Sequence, residues 1–352
     1  MIIKKDSVEF EQYDMNFVAK FGIIEAAEMV RDFKSKNRIP FIFDTYQLAH
    51  HLCIGRKDLF DTVKNCDSLY ETIEIPKRSG GSRIINAPNS TLKHLQRFIL
   101  LEFLDKISVS KYATAYHKNS RLADNANPHV GKKYLLKLDL VDFFGSIRFD
   151  KVYSCAFNTS YFPKQIGVIL TKLCCLEDVL PQGAPTSPSI SNIVMKNFDD
   201  NFGEWCETQG LSYTRYCDDI TISGDKPLYF AYRKAKNWLE NMGFEINERK
   251  THFVTNAARQ TVTGLTVNEK VSVPSDYKRK LRQEIYYALK FGFENTVLYN
   301  NLSEFINCGK ADAYRYCLYL LGKVNFVLSV EPNNAFFKSA FEKLTDLCDS
   351  LD

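Results

Sequence analysis

Three carboxylates stand where side chains could do chemistry. Asp139 lies in KLDLVDFF, at the end of an apolar run, and Asp218 and Asp219 sit side by side in YTRYCDDITIS. An Asp pair is often no more than turn chemistry, because a carboxylate can bond its own backbone. Here Tyr216 precedes the pair and Ile220 and Ile222 follow it, which predicts a largely buried hairpin. Adjacent buried carboxylates repel one another unless a cation binds them. Two hard divalent ions held by carboxylates on neighbouring strands can clamp the attacking and leaving oxygens of an in-line phosphoryl displacement. One ion would lower the pKa of an attacking hydroxyl, and the other would neutralise charge growing on pyrophosphate. Asp142 competes for the role of Asp139, but it lies three residues on, past the expected strand end, and is the weaker candidate.

The charge distribution adds to this. The 352 residues carry 46 Lys and Arg against 42 Asp and Glu, a net charge of +4. From Glu74 to Lys133, however, eleven Lys and Arg face four Asp and Glu, so the rest of the chain is net acidic. A basic segment of that kind is an electrostatic footprint for phosphates, or else a solvated face. Hydrophobic content of 45% and charged content of 25% exclude a disordered or fibrous chain, and the length suits two or three packed units. No apolar N-terminal stretch reads as a signal peptide. The apolar run Tyr316–Val330 is cut by Lys323 and Asn325, so no membrane span is expected. Ten cysteines without C-x-x-C spacing point to a cytoplasmic protein with reduced thiols.

The elements that must position the carboxylates can be read in turn. Ile23–Phe33 and Tyr46–Val63 carry helical spacing. Thr72–Pro88 reads as a β-hairpin about Gly80-Gly81, and Leu92–Leu104 as an amphipathic helix. Tyr134–Leu140 suits a buried strand. Leu180–Pro188 is a Pro/Gly-rich turn entering a helix, with Ser187 as expected N-cap and Pro188 at the first helical position. Leu211–Ser223 alternates like a hairpin around the Asp pair, and the chain turns helical after Pro274.

Taken together, these segments resemble a known family. YCDD at Tyr216–Asp219 is similar to the Y-x-D-D box of reverse transcriptases, with Asp139 at the matching place in the preceding palm motif. LPQGAPTSPSISN, Leu180–Asn192, resembles the family's nucleotide- and template-positioning turn and helix. IPKRSGGSRIINAP, Ile75–Pro88, resembles its fingers hairpin. NANPH, Asn125–His129, and VTG, Val262–Gly264, resemble two marks of the retron reverse transcriptases. The resemblance spans roughly Phe43 to Leu289. It departs at Gly145, where Pro is usual, and at Cys217, where Ala is common; neither is a metal ligand.

The resemblance implies an α+β right-hand polymerase: a helical region over 1–70, fingers over 71–133, a palm with an antiparallel sheet over 134–256, and a helical thumb over 257–352. It implies that Asp139, Asp218 and Asp219 hold two Mg²⁺. Phe144 would block a ribose 2′-OH, although without the motif it reads as core packing beside Phe143. Lys77 and Arg83 would close over the β- and γ-phosphates of a deoxynucleoside triphosphate. Gln182 and Gly183 would position nucleotide or template, the Gly allowing close backbone approach. Asn125, His129, Val262, Thr263, Gly264 and the basic residues Lys278, Arg279 and Arg282 are expected to hold the cognate non-coding RNA, since A-form RNA is read by shape. The implied function is copying part of that RNA, as template and primer, into a small 2′,5′-branched single-stranded DNA (msDNA). A separate effector protein in an anti-phage system goes with it. The alternatives are another bacterial reverse transcriptase, of the group II intron or diversity-generating type, and a non-catalytic RNA-binding scaffold.

Overall fold

A computed structural model describes residues 23–36, 38–76, 80–118, 120–307 and 310–351. Helix α1 (Ile23–Lys36) leads into α2 (Thr45–His51) and α3 (Arg56–Lys64). The helical spacing predicts one helix over Tyr46–Val63, and the structure has two. Asp44 starts α2 by accepting from the backbone N–H groups of Tyr46 and Gln47. Cys53 then takes a left-handed φ of 55°, which ends the helix, and Gly55 opens α3.

Strands β1 (Tyr70–Pro76) and β2 (Ser82–Pro88) pair antiparallel with Ile73 opposite Ile85, as the hairpin signal requires. Gly80 and Gly81 have φ of 87° and 78°, a conformation that favours glycine. Asn89 caps α4 (Ser90–Glu102) by accepting from the Leu92 N–H. A short α5 (Leu122–Ala126) precedes β3 (Tyr134–Asp139). Helices α6 (Phe149–Ala156), α7 (Lys164–Cys174) and α8 (Ser187–Thr208) follow. Thr186, not Ser187, is the N-cap residue of α8. The Ser187 hydroxyl instead donates to the Pro181 carbonyl at 2.7 Å and closes the Pro/Gly-rich turn on itself.

Strands β4 (Ser212–Tyr216) and β5 (Asp219–Gly224) form the hairpin expected around the Asp pair. After α9 (Tyr229–Asn241) comes β6 (His252–Thr255), completing an antiparallel sheet of order β4-β5-β3-β6. Leu136, Leu138, Ile220 and Ile222 are buried on this sheet, in one core that reaches from Ile39 to Ile246. Each such side chain contributes roughly 1.5–3 kcal/mol by leaving water.

A second core follows. It gathers the hairpin β7 (Thr261–Val262) and β8 (Leu265–Thr266), then α10 (Ser275–Phe291) and α11 (Phe293–Tyr299). Strands β9 (Ile306–Asn307) and β10 (Lys310–Ala311) lead to α12 (Ala313–Val330) and α13 (Ala335–Leu351). Ala126 and Leu135 join this core from the middle of the chain. Cys317 and Cys348 are linked as a disulfide between α12 and α13, where the sequence reading has all thiols reduced. Spacing along the chain could not show that these two helices bring them together. Among the described residues, no helix is long and apolar enough to cross a membrane.

Candidate active site

The sheet register brings the three carboxylates together. Asp139 is the last residue of β3, Asp219 the first of β5, and they are Cα partners across the ladder. Asp218 occupies the tight turn between β4 and β5, and its carbonyl accepts from the Leu140 N–H at 3.3 Å. Partial desolvation, then repulsion from Asp218 and Asp139, pushes the Asp219 carboxyl up to about 6. Asp142 sits past the end of β3 in an exposed turn with φ of 40°. A Cβ on Gly145 would fall 2.2 Å from an Asp142 carboxylate oxygen, so the glycine in place of the usual proline leaves room for that side chain.

Sequence reasoning missed Lys250. Its Nζ donates to both carboxylate oxygens of Asp139 at 2.9 Å, and Asn247 adds an Nδ2 donor at 3.3 Å. Among the described residues, no three Asp, Glu, His or Cys side chains are gathered closely enough to cage an ion as they stand. In this arrangement Lys250 holds the Asp139 carboxylate by both oxygens. The donors still fit a hard divalent cation: all are carboxylate oxygens, they are mutually repelling, and one already draws an ammonium.

Arg215 was missed as well. It is fully buried, first by size among the described residues, and its guanidinium makes a bidentate pair with Asp199 of α8, at 2.6 Å from Nη2 and 2.9 Å from Nε. Nη1 donates to the Cys217 carbonyl at 3.0 Å, and Nη2 to Asn192 Oδ1 at 3.1 Å. Tyr116, with φ of 63°, reaches the same turn, its hydroxyl 3.1 Å from Cys217 Sγ. The one signal available was a lone charged residue inside a strand otherwise made of Ser, Tyr and Thr.

The nucleotide-binding candidates divide. Arg83 is exposed on β2, and Lys77 lies outside the described residues. The Gln182 carbonyl accepts from the Asn86 N–H at 2.8 Å, which pins this turn to β2. Gly183 has φ of 132°, and a Cβ there would come within 2.6 Å of the Asn86 carbonyl, so the close approach does require glycine. Phe144 is half-buried, its ring 5.4 Å from Phe143.

The RNA-binding candidates divide as well: Asn125, His129 and Val262 are buried, whereas Gly264, Arg279 and Arg282 are exposed. Asn125 and His129 are 1% and 0% exposed, enclosed by protein where the resemblance implies RNA contact. Asn125 Oδ1 accepts from the Thr114 hydroxyl at 2.8 Å, and its Nδ2 donates to Thr263 Oγ1 at 3.4 Å. His129 is hydrogen-bonded to Ser223 Oγ at 2.7 Å and Thr214 Oγ1 at 2.8 Å, and burial pushes the imidazole down to about 3. These residues join the carboxylate hairpin to the β7–β8 turn. In that turn Val262 is buried, while Thr263 and Gly264 have φ of 45° and 82°. Lys278 is tied to Glu331 at 2.6 Å. Arg279 and Arg282 stay exposed, the latter over the rings of Phe336 and Phe337.

A family model described as reverse transcriptase (RNA-dependent DNA polymerase) matches residues 75–280, which include the sheet and all three carboxylates. The class of protein is therefore an RNA-directed DNA polymerase. The retron Ec86 reverse transcriptase of Escherichia coli is 29% identical over 316 residues, covering 88% of this chain and 91% of that one. The retron Ec83 enzyme of Escherichia coli is 33% identical, over 66% of this chain and 80% of its own. The retron Mx65 enzyme of Myxococcus xanthus is 35% identical, over 62% and 55%. The chain belongs to the reverse transcriptases of the retron type. Apo telomerase from Candida tropicalis shows a distant likeness, with a TM-score of 0.43 at 12% identity over 80% of this chain and 58% of that one.

Proposed function

We propose that this enzyme copies part of a cognate structured non-coding RNA into a small single-stranded DNA. The reading is carried by the similarity to a retron reverse transcriptase over 88% of the chain. Asp139, Asp218 and Asp219 would hold two Mg²⁺, which when bound activate the priming hydroxyl and neutralise the departing pyrophosphate. The chain's own residues do the remaining work. Lys77 and Arg83 grip the triphosphate, Arg as a fork and Lys as a point charge. Phe144 closes the space a ribose 2′-OH would need. The Gln182–Gly183 turn, pinned to β2, sets the distance between hairpin and carboxylates. Arg279 and Arg282 offer cations to the RNA backbone, whose phosphates give salt-dependent, shape-based affinity.

Within this reading the primer is a 2′-OH of a guanosine in the same RNA, so the product is a 2′,5′-branched msDNA. The RNA–DNA–enzyme complex works in the cytoplasm and restrains a separate effector protein in anti-phage defence. The test is made in cells carrying the native locus. Small nucleic acids are treated with RNase and run on a denaturing gel beside an Asp218→Asn/Asp219→Asn control. A discrete DNA band seen only with intact carboxylates, shifting on debranching, is expected. Soluble protein and transcribed RNA without such DNA would overturn the proposal.

A further inference from the structure

The buried pair Arg215–Asp199 has no evident reason to exist as a stabilising element. Both side chains are fully enclosed, and removing two charges from water offsets most of their attraction. Replacing such a pair with apolar residues of similar volume is often neutral or stabilising. An apolar pair could not hold a backbone carbonyl in place, and that is what Arg215 does. Its Nη1 donates to the Cys217 carbonyl, and the Cys217–Asp218 peptide sets the direction in which Asp218 leaves the turn.

The turn needs holding. Cys217 has φ of 61°, a left-handed conformation that a non-glycine residue keeps only when its surroundings impose it. The guanidinium fork is anchored from behind. Asp199 accepts from Nε, Nη2 and the Tyr213 hydroxyl, the last at 2.6 Å, and Asn192 accepts from Nη2. Asn192 in turn donates to the Ala115 carbonyl at 2.8 Å. Asp199 and Asn192 both lie on α8, the helix that begins just after the Gln182–Gly183 turn pinned to β2. One rigid helix therefore fixes two parts of the site.

We infer that Arg215, backed by Asp199 and Asn192, is a positioning residue that locks the Cys217–Asp218 peptide and so sets the carboxylate geometry for DNA synthesis. The inference rests on Asp218 and Asp219 being the catalytic carboxylates. Asp218→Asn is included for that reason, and full activity in that variant would refute the carboxylate assignment independently of Arg215.

The experiment uses the full chain on a primed RNA template, comparing three proteins with the parent. Arg215→Lys keeps a cation near Asp199 but cannot reach Asp199, Asn192 and Cys217 at once. Asp199→Leu/Tyr213→Phe/Arg215→Met removes the charges together with the hydroxyl that depends on them. Melting temperature, template affinity, kcat and KM for deoxynucleotide are measured, with Mn²⁺ affinity by the loss of the free-ion resonance. The triple variant is expected to melt near the parent and bind template as the parent does. Its kcat should fall about 100-fold, the scale for a misplacement of about 1 Å, with KM little changed and Mn²⁺ bound more weakly. Arg215→Lys should show the same kcat loss at smaller scale. A triple variant with parental melting and parental kcat would overturn the inference. If the triple variant does not fold, a parental kcat and Mn²⁺ affinity in Arg215→Lys would overturn it equally.

Discussion

His129 provides a quantitative check on whether the N-A-x-x-H element is internal framework or RNA contact. The imidazole is fully buried between Ser223 and Thr214, and its pKa is pushed down to about 3 by burial, with a smaller effect from Lys132. In the unfolded chain it titrates near 6.5. A depressed folded pKa means that the unfolded state binds more protons between those values. Stability is therefore complete above about pH 6.5 and lost as pH falls. Between pH 7.5 and pH 5.5 the unfolded imidazole gains most of a proton while the folded one gains none, a loss of about 1.4 kcal/mol. That figure holds for any folded pKa well below 5. Asp219 acts in the opposite sense: its raised carboxyl costs stability that returns as pH falls through about 6. The comparison is best made between Asp219→Asn and Asp219→Asn/His129→Gln, by urea unfolding in chelator at both pH values. The single variant should lose about 1.4 kcal/mol more than the double variant on acidification. Equal pH dependence in the two proteins would refute the buried-imidazole account.

Three other outcomes are expected. Asp139→Asn, Asp218→Asn and Asp219→Asn should each abolish DNA synthesis while RNA binding in a filter or mobility assay stays within a few-fold of the parent. Gly183→Ala should lower stability by about 1–3 kcal/mol, since the new methyl meets the Asn86 carbonyl and the backbone is left-handed; thermal melting reads this, and an unchanged midpoint would contradict the pinned turn. Lys250→Met should tighten Mn²⁺ binding to the substrate-free protein several-fold, because Nζ no longer competes for Asp139. Weaker ion binding in that variant would show that Lys250 assists the site rather than occupying it.

Much of this protein is written locally in its chain. A Gly-Gly turn marks one hairpin and apolar–polar alternation in the sequence marks the other, which places Asp218 in a tight turn, and an apolar run places Asp139 at a strand end. Those patterns are legible because they depend on neighbours one to four residues apart. The break at Cys53 escaped the same reasoning, since helical spacing persists across it and only the left-handed backbone reveals it. What tertiary structure alone decided is of another kind. Lys250 meets Asp139 from 111 residues away, Asn125 meets Thr263 across 138, and Cys317 meets Cys348 across 31. Arg215 finds Asp199 because α8 packs against β4, and His129 is enclosed because β4 and β5 each offer it a hydroxyl. Nothing in the sequence separates an exposed histidine that could touch RNA from a buried one satisfied by serine and threonine. Burial is a property of the packed whole, and the hydrogen bonds that make a buried polar group tolerable come from whichever strands the fold lays beside it.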